Sequence, residues 1–175
     1  MDRARGDGPS VEVPRLPRDL ESDPLIAEIR AVLQADVRLL WPRGTLAVPV
    51  VPPSTSLRAA LARLAAEGRL LRGLETAAAT LAAERRGLDA LSPEVRGRSQ
   101  RVSRALAVSN DGAERFYRAV ERLALDHAPR LLVCVVDCTS AVLGELLYGP
   151  ETVVKAVLTN HKTAATTLLR ALAGA

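Results

Sequence analysis

Apolar residues along this chain change their spacing twice. Residues 1–24 carry Pro9, Pro14, Pro17 and Pro24 among charges, which predicts an extended or disordered leader. From Leu25 the spacing becomes helical: Leu25, Ile26, Ile29, Val32, Leu33, Val37 and Leu40 recur at three- and four-residue steps. Ser22 or Asp23 would cap this helix ahead of Pro24, and Trp41-Pro42-Arg43-Gly44 would end it. Residues 45–53 look extended, but Pro49, Pro52 and Pro53 restrict them to an edge strand or a strap.

From Ser54 to Leu91 the helical spacing returns through Leu57, Leu61, Leu64, Leu71, Leu74, Ala78, Leu81 and Leu88. Gly68, Gly73 and Gly87 interrupt it, so the expectation is a hairpin broken near Gly68 or one curved helix. Its heptad-like face would pair with the 25–40 helix, or with a second copy of the chain.

After Ser92-Pro93 the period shortens again. Residues 103–109, 130–137 and 153–159 are short, apolar and rich in Val, and a helical pattern follows each. Strands apolar on both faces, joined by crossovers of helical length, predict parallel pairing in a sheet covered on both sides. The expected architecture is therefore α/β. A leader (1–24) and a helical region (25–93) would precede a small α/β domain (94–175) holding three mostly parallel strands, with the N-terminal helices covering the sheet.

Composition narrows the class. The chain of 175 residues is 48% hydrophobic and 25% charged, which is globular, but only 2% aromatic. Its core must then come from Leu, Ala and Val. The N-terminus lacks a signal-type apolar segment, and no apolar run approaches the length of a membrane span, so a cytosolic location is expected. Cys134 and Cys138 are too few for a disulfide framework.

The net charge of +4 is local. Arg96, Arg98, Arg101 and Arg104 form a cluster with no acid between them, a candidate contact for nucleic acid phosphates. Few aromatics are available for base stacking, which favours a solvated face instead.

Candidate chemistry lies where the strands end. Ser109-Asn110-Asp111-Gly112, Asp137-Cys138-Thr139-Ser140 and Thr159-Asn160-His161-Lys162 follow the three strands. If all three strands run parallel, these segments share one rim, where α/β sheets bind ligands. Asp111 and Asp137 would then be candidate catalytic carboxylates or Mg2+ ligands. His161 and Lys162 would serve proton transfer or phosphate contact. Asn110, Thr139, Ser140 and Asn160 would bind the ligand. The same residue types are the preferred helix caps, so capping alone also explains them. Cys138 would sit at a helix N-terminus, but a phosphatase-type loop would need Arg where Gly144 stands.

No G-x-G-x-x-G, Walker-type, H-E-x-x-H or G-x-S-x-G motif is present. No reaction can be named from these residues. The leading expectation is an anionic small molecule, such as a nucleotide or a phosphorylated metabolite, bound at the strand ends. The alternatives are an assembly protein acting through residues 54–91, as a homo-oligomer or scaffold, and a nucleic-acid-associated protein.

Overall fold

The computed structural model describes residues 11–97 and 100–174. In chain order its elements are α1 (Arg18–Glu21), α2 (Ile26–Ala35), β1 (Val37–Leu39), β2 (Ala47–Val51), α3 (Thr55–Ala66), β3 (Leu70–Arg72) and α4 (Leu74–Asp89). There follow α5 (Pro93–Gly97), β4 (Arg104–Val108), α6 (Glu114–Asp126), β5 (Leu131–Val136), α7 (Ser140–Tyr148), β6 (Ala156–Thr159) and α8 (Lys162–Arg170).

The strands form one sheet in the order β1-β2-β5-β4-β6-β3. Among neighbouring strands only the pairs β2–β5 and β5–β4 are parallel. β1 is antiparallel to β2, and β6 is antiparallel to both β4 and β3. The α/β class therefore holds, while the three-stranded parallel unit does not. The third apolar run, β6, enters the sheet reversed against β4, with Leu106 opposite Leu158. A run apolar on both faces reports burial, which is the same for either strand direction.

The N-terminal half differs from expectation in three places. Val37 does not continue α2 but begins β1. Between α3 and α4, β3 replaces a simple turn, with Gly68 (φ 66°) and Gly73 (φ 92°) flanking it in the left-handed region. β2 lies inside the sheet, between β1 and β5. Three strands from residues 25–93 thus share the sheet with three from residues 94–175.

Helices cover both faces. Leu20 of α1, Ile29 and Leu33 of α2, Leu57 and Leu61 of α3, Leu143 of α7 and Leu168 of α8 fill one layer. Ala77 and Leu81 of α4 fill the other with Tyr117, Val120 and Leu123 of α6. α4 therefore lies on the face opposite α2, and the expected pairing between them does not occur. The apolar stripe of residues 54–91 is divided between the two layers.

The leader is docked from Val11 onward. Leu16 and Leu20 are fully buried, and the Arg15 carbonyl accepts the Val102 N–H at 2.9 Å. The expectation for residues 1–10 lies outside the described residues. α7 accepts the chain that follows it only because residue 144 is glycine: a Cβ there would lie 1.9 Å from the Thr152 carbonyl oxygen.

Candidate functional site

Reversal of β6 separates the candidate residues. The carboxyl ends of β2, β4 and β5 share one edge of the sheet, and Asn110, Asp111, Asp137, Thr139 and Ser140 gather there. Asn160, His161 and Lys162 follow the carboxyl end of β6 and lie at the opposite edge. The expectation of a single rim bearing both carboxylates and the imidazole is corrected accordingly.

At the far edge these three residues have structural partners. The His161 Nδ1 accepts the Thr163 N–H at 3.2 Å, which caps α8. Asn160 donates from Nδ2 to the Gly68 carbonyl at 3.0 Å, tying β6 to the turn before β3. Lys162 is 3.9 Å from Asp19 across a solvent-exposed gap.

At the carboxyl edge, the loops after β4 and β5 are hydrogen-bonded to each other. The Asn110 N–H donates to the Cys138 carbonyl at 2.9 Å, and its side-chain Nδ2 donates to Asp137 Oδ1 at 2.9 Å. Asp111 accepts the Ser140 N–H at 2.9 Å and the Ser140 hydroxyl at 2.8 Å, one on each carboxylate oxygen. Burial works against ionisation of Asp111, but the hydroxyls of Ser109 and Ser140 and the Ser140 N–H outweigh it and hold its pKa below the ordinary value. Asp111 thus anchors the start of α7, while Thr139 caps that helix through the Val142 N–H at 3.3 Å.

These bonds leave Asp137 as the carboxylate turned outward. With Asp36, Val32 and Pro52 it lines a shallow hollow of about 310 Å³ beside the end of α2. Among the described residues, no group of three or more His, Cys, Asp or Glu gathers where it could hold a metal ion. Ser140 engages both oxygens of Asp111, while Asp137 Oδ1 accepts from Asn110.

Two features of this edge could receive a ligand. The connection leaving β4 runs through α6 on one face and that leaving β5 through α7 on the other, so the edge between them is a topological switch point. The N-termini of α3, α6 and α7 all start here. Ser54 and Thr139 cap α3 and α7, but Ala113 leaves α6 with no capping side chain. Gly112 fits in front of α6 only without a side chain, because a Cβ would lie 2.4 Å from the Phe116 ring.

Cys138 is buried at this edge. Burial raises its pKa, the Arg58 charge opposes that, and Asp111 and Asp137 add to it. The thiol is therefore held protonated, contrary to what a nucleophile needs. Cys134 is buried more deeply in β5, and its pKa is pushed up to about 12.

The arginine cluster does not form one patch. Arg101 pairs with Glu21 of α1 and also donates to the Leu16 carbonyl at 3.2 Å. Arg104 pairs with Glu84 of α4, on the other face of the sheet. Arg96 lines a hollow of about 200 Å³ that also holds Glu84, Asp89 and Asp126. Arg98 lies outside the described residues. Arg101 and Arg104, in a stretch free of acids in sequence, thus meet acids from other elements in space.

Sequence reasoning missed Glu121. It lies on the buried face of α6, where its carboxylate accepts from Trp41 Nε1 (2.6 Å), the Thr45 N–H (2.6 Å) and the Leu46 N–H (2.7 Å). Burial would raise its pKa, but the Leu46, Trp41 and Thr45 donors outweigh that and lower it. The available signal was a Glu one step from Val120 in an otherwise apolar helical face.

No protein-family model matches this chain, and no curated protein matches it. Among the described residues, no helix is long and apolar enough to cross a membrane.

Proposed function

We propose that this protein binds a small anionic molecule, such as a nucleotide or a phosphorylated metabolite, at the carboxyl edge of its parallel strands. One observation carries the reading: the switch point between β4 and β5 adjoins the N-terminus of α6, whose first N–H groups have no capping side chain. A helix N-terminus offers partial positive charge and free donors, which suit a phosphate or carboxylate. With His161 and Lys162 at the far edge, the helix ends take over the part expected of them. Asn110 and Thr139 would border the ligand, and the outward carboxylate of Asp137 would limit its charge.

A thermal-shift screen against nucleotides, phosphosugars, simple amines and divalent cations tests this. A ligand present at about 100 times its Kd adds roughly 2.7 kcal/mol to stability. Asp137→Asn removes a negative charge from the rim and is expected to tighten anion binding, whereas His161→Ala is expected to leave it unchanged. Stabilisation by amines or divalent cations alone, with no response to any anion, would refute the reading.

The alternatives gain less support. The assembly reading needs exposed apolar faces on α3 and α4, yet Leu57, Leu61, Leu64 and Leu81 are buried in the core. The nucleic acid reading needs a basic patch, and Arg101 and Arg104 are paired with acids on opposite faces.

A further inference from the structure

The seam between β2 and β5 is closed at one end and open at the other. Its ladder consists of Val50 opposite Val135 and Val51 opposite Val136, and the Asp137 N–H continues it to the Val51 carbonyl at 2.9 Å. The Val50 N–H turns the other way, to the Asp36 carbonyl at 2.9 Å. Backbone groups alternate sides along a strand, so the nitrogen of Pro49 faces β5, where it has no hydrogen to donate. The ladder stops one residue beyond it. By the same alternation from Asp137, the carbonyl of Val133 faces the gap.

Below Pro49 the two strands diverge around a hollow of about 430 Å³. Ala47 and Val48 form one wall, and Leu131 and Val133 the other. Leu39 (37% exposed) and Leu125 (54% exposed) stand at the rim. Among the described residues the lining includes a single ionisable side chain, Glu12. A hollow of this size lies within the range of small-molecule sites, which are mostly apolar with a few polar groups that fix orientation.

We propose that this wedge is a second binding site, distinct from the carboxyl edge, for an uncharged and largely apolar molecule carrying one N–H or O–H donor. Its apolar body fills the space between the strands. Its donor meets the backbone carbonyl that Pro49 cannot serve.

The probe N-phenyl-1-naphthylamine is apolar, carries one N–H and fluoresces when it leaves water. Titrated into the full chain, it is expected to show saturable enhancement at one site. Pro49→Val restores the missing N–H, lets the ladder continue and closes the wedge, so binding should weaken by at least about tenfold while the melting temperature holds or rises. Leu125→Arg places a charge at the exposed rim and should weaken binding by a similar factor of about ten without loss of fold. If Pro49→Val fails to fold, Leu125→Arg decides alone. The proposal is overturned if the native protein gives no enhancement, or if every folded variant binds the probe as tightly as the native chain. It is equally overturned if sedimentation shows a dimer that Leu125→Arg dissociates and that does not bind the probe, since a second copy would then cover the wedge.

Discussion

The two ends of β5 have been finished in opposite ways. At its carboxyl end the backbone is tied on both sides, by Asp137 to β2 and by the Asn110–Cys138 bond to the loop after β4. Side chains there are polar, and most are engaged as anchors. At its amino end the strand keeps its full ladder with β4 but parts from β2, and the resulting gap is apolar. Both ends are made from Val- and Leu-rich sequence. What separates them is the presence of a backbone donor: sheets close where N–H and C=O groups can pair and open where a proline withholds one.

The two ends are also anchored by carboxylates with different duties, Glu121 buried and Asp111 exposed. Glu121 holds the loop between β1 and β2 against α6 beside the open end, and Asp111 holds α7 at the closed end. Substitutions at three positions would break or sharpen this contrast.

Glu121→Ala is expected to cost the most, about 2 kcal/mol, because it strands the part-buried Trp41, Thr45 and Leu46 donors. Chemical denaturation at neutral pH measures it. The folded pKa of Glu121 lies below its unfolded value, so the carboxylate contributes stability above the ordinary glutamate range. That contribution is lost as pH falls through the lower folded value. The acid limb of a stability–pH curve should therefore flatten in Glu121→Gln. An unchanged acid limb would show that the loop is held by packing alone.

Asp111→Asn comes next, at about 1 kcal/mol, the usual scale of a lost helix anchor. Its folded pKa is also depressed, so the sign is the same: stability is gained above the ordinary aspartate range and lost as acid protonates the folded form. Amide exchange should quicken at Ser140 and the first turn of α7 and stay slow in α8. Equal loosening of both helices would mean that Asp111 acts on the whole edge.

His161→Ala should have the smallest effect, about 0.5 kcal/mol, as a side chain that caps one exposed helix start. It should alter neither ligand response at the carboxyl edge nor probe binding in the wedge. A loss of either would reunite the two edges that the reversed β6 separates.

Much of the fold was legible because burial leaves a direct trace in sequence. The three Val-rich runs became β4, β5 and β6, with ends within three residues of those expected. The break near Gly68 and the helix between Pro24 and Trp41 were also foreseen, although the last turn of that helix is β1 instead. Short strands such as β1 and β3 hold three residues each, too few to show a period of two against helical neighbours. Pro49 predicts an edge strand or a strap, whereas β2 is interior and accommodates it by opening one side.

The candidate site was legible only in part. Asn110, Asp111, Asp137, Thr139 and Ser140 do meet, since consecutive parallel strands place their following loops side by side. His161 and Lys162 do not join them, because nothing in the run VVKAVLT specifies the direction in which β6 enters the sheet. Glu121 was passed over because its three donors come from a loop about 75 residues away in the chain.

Sequence alone determined the three apolar runs that become β4, β5 and β6, the break near Gly68 and which strand ends carry polar groups, since these depend on local spacing and on the chemistry of single residues. Tertiary structure decided strand order, the direction of β6, the pairing of Arg101 and Arg104 and the opening below Pro49. Those outcomes depend on which distant backbone group or charge each residue meets, and residues far apart in the chain carry no local record of that meeting.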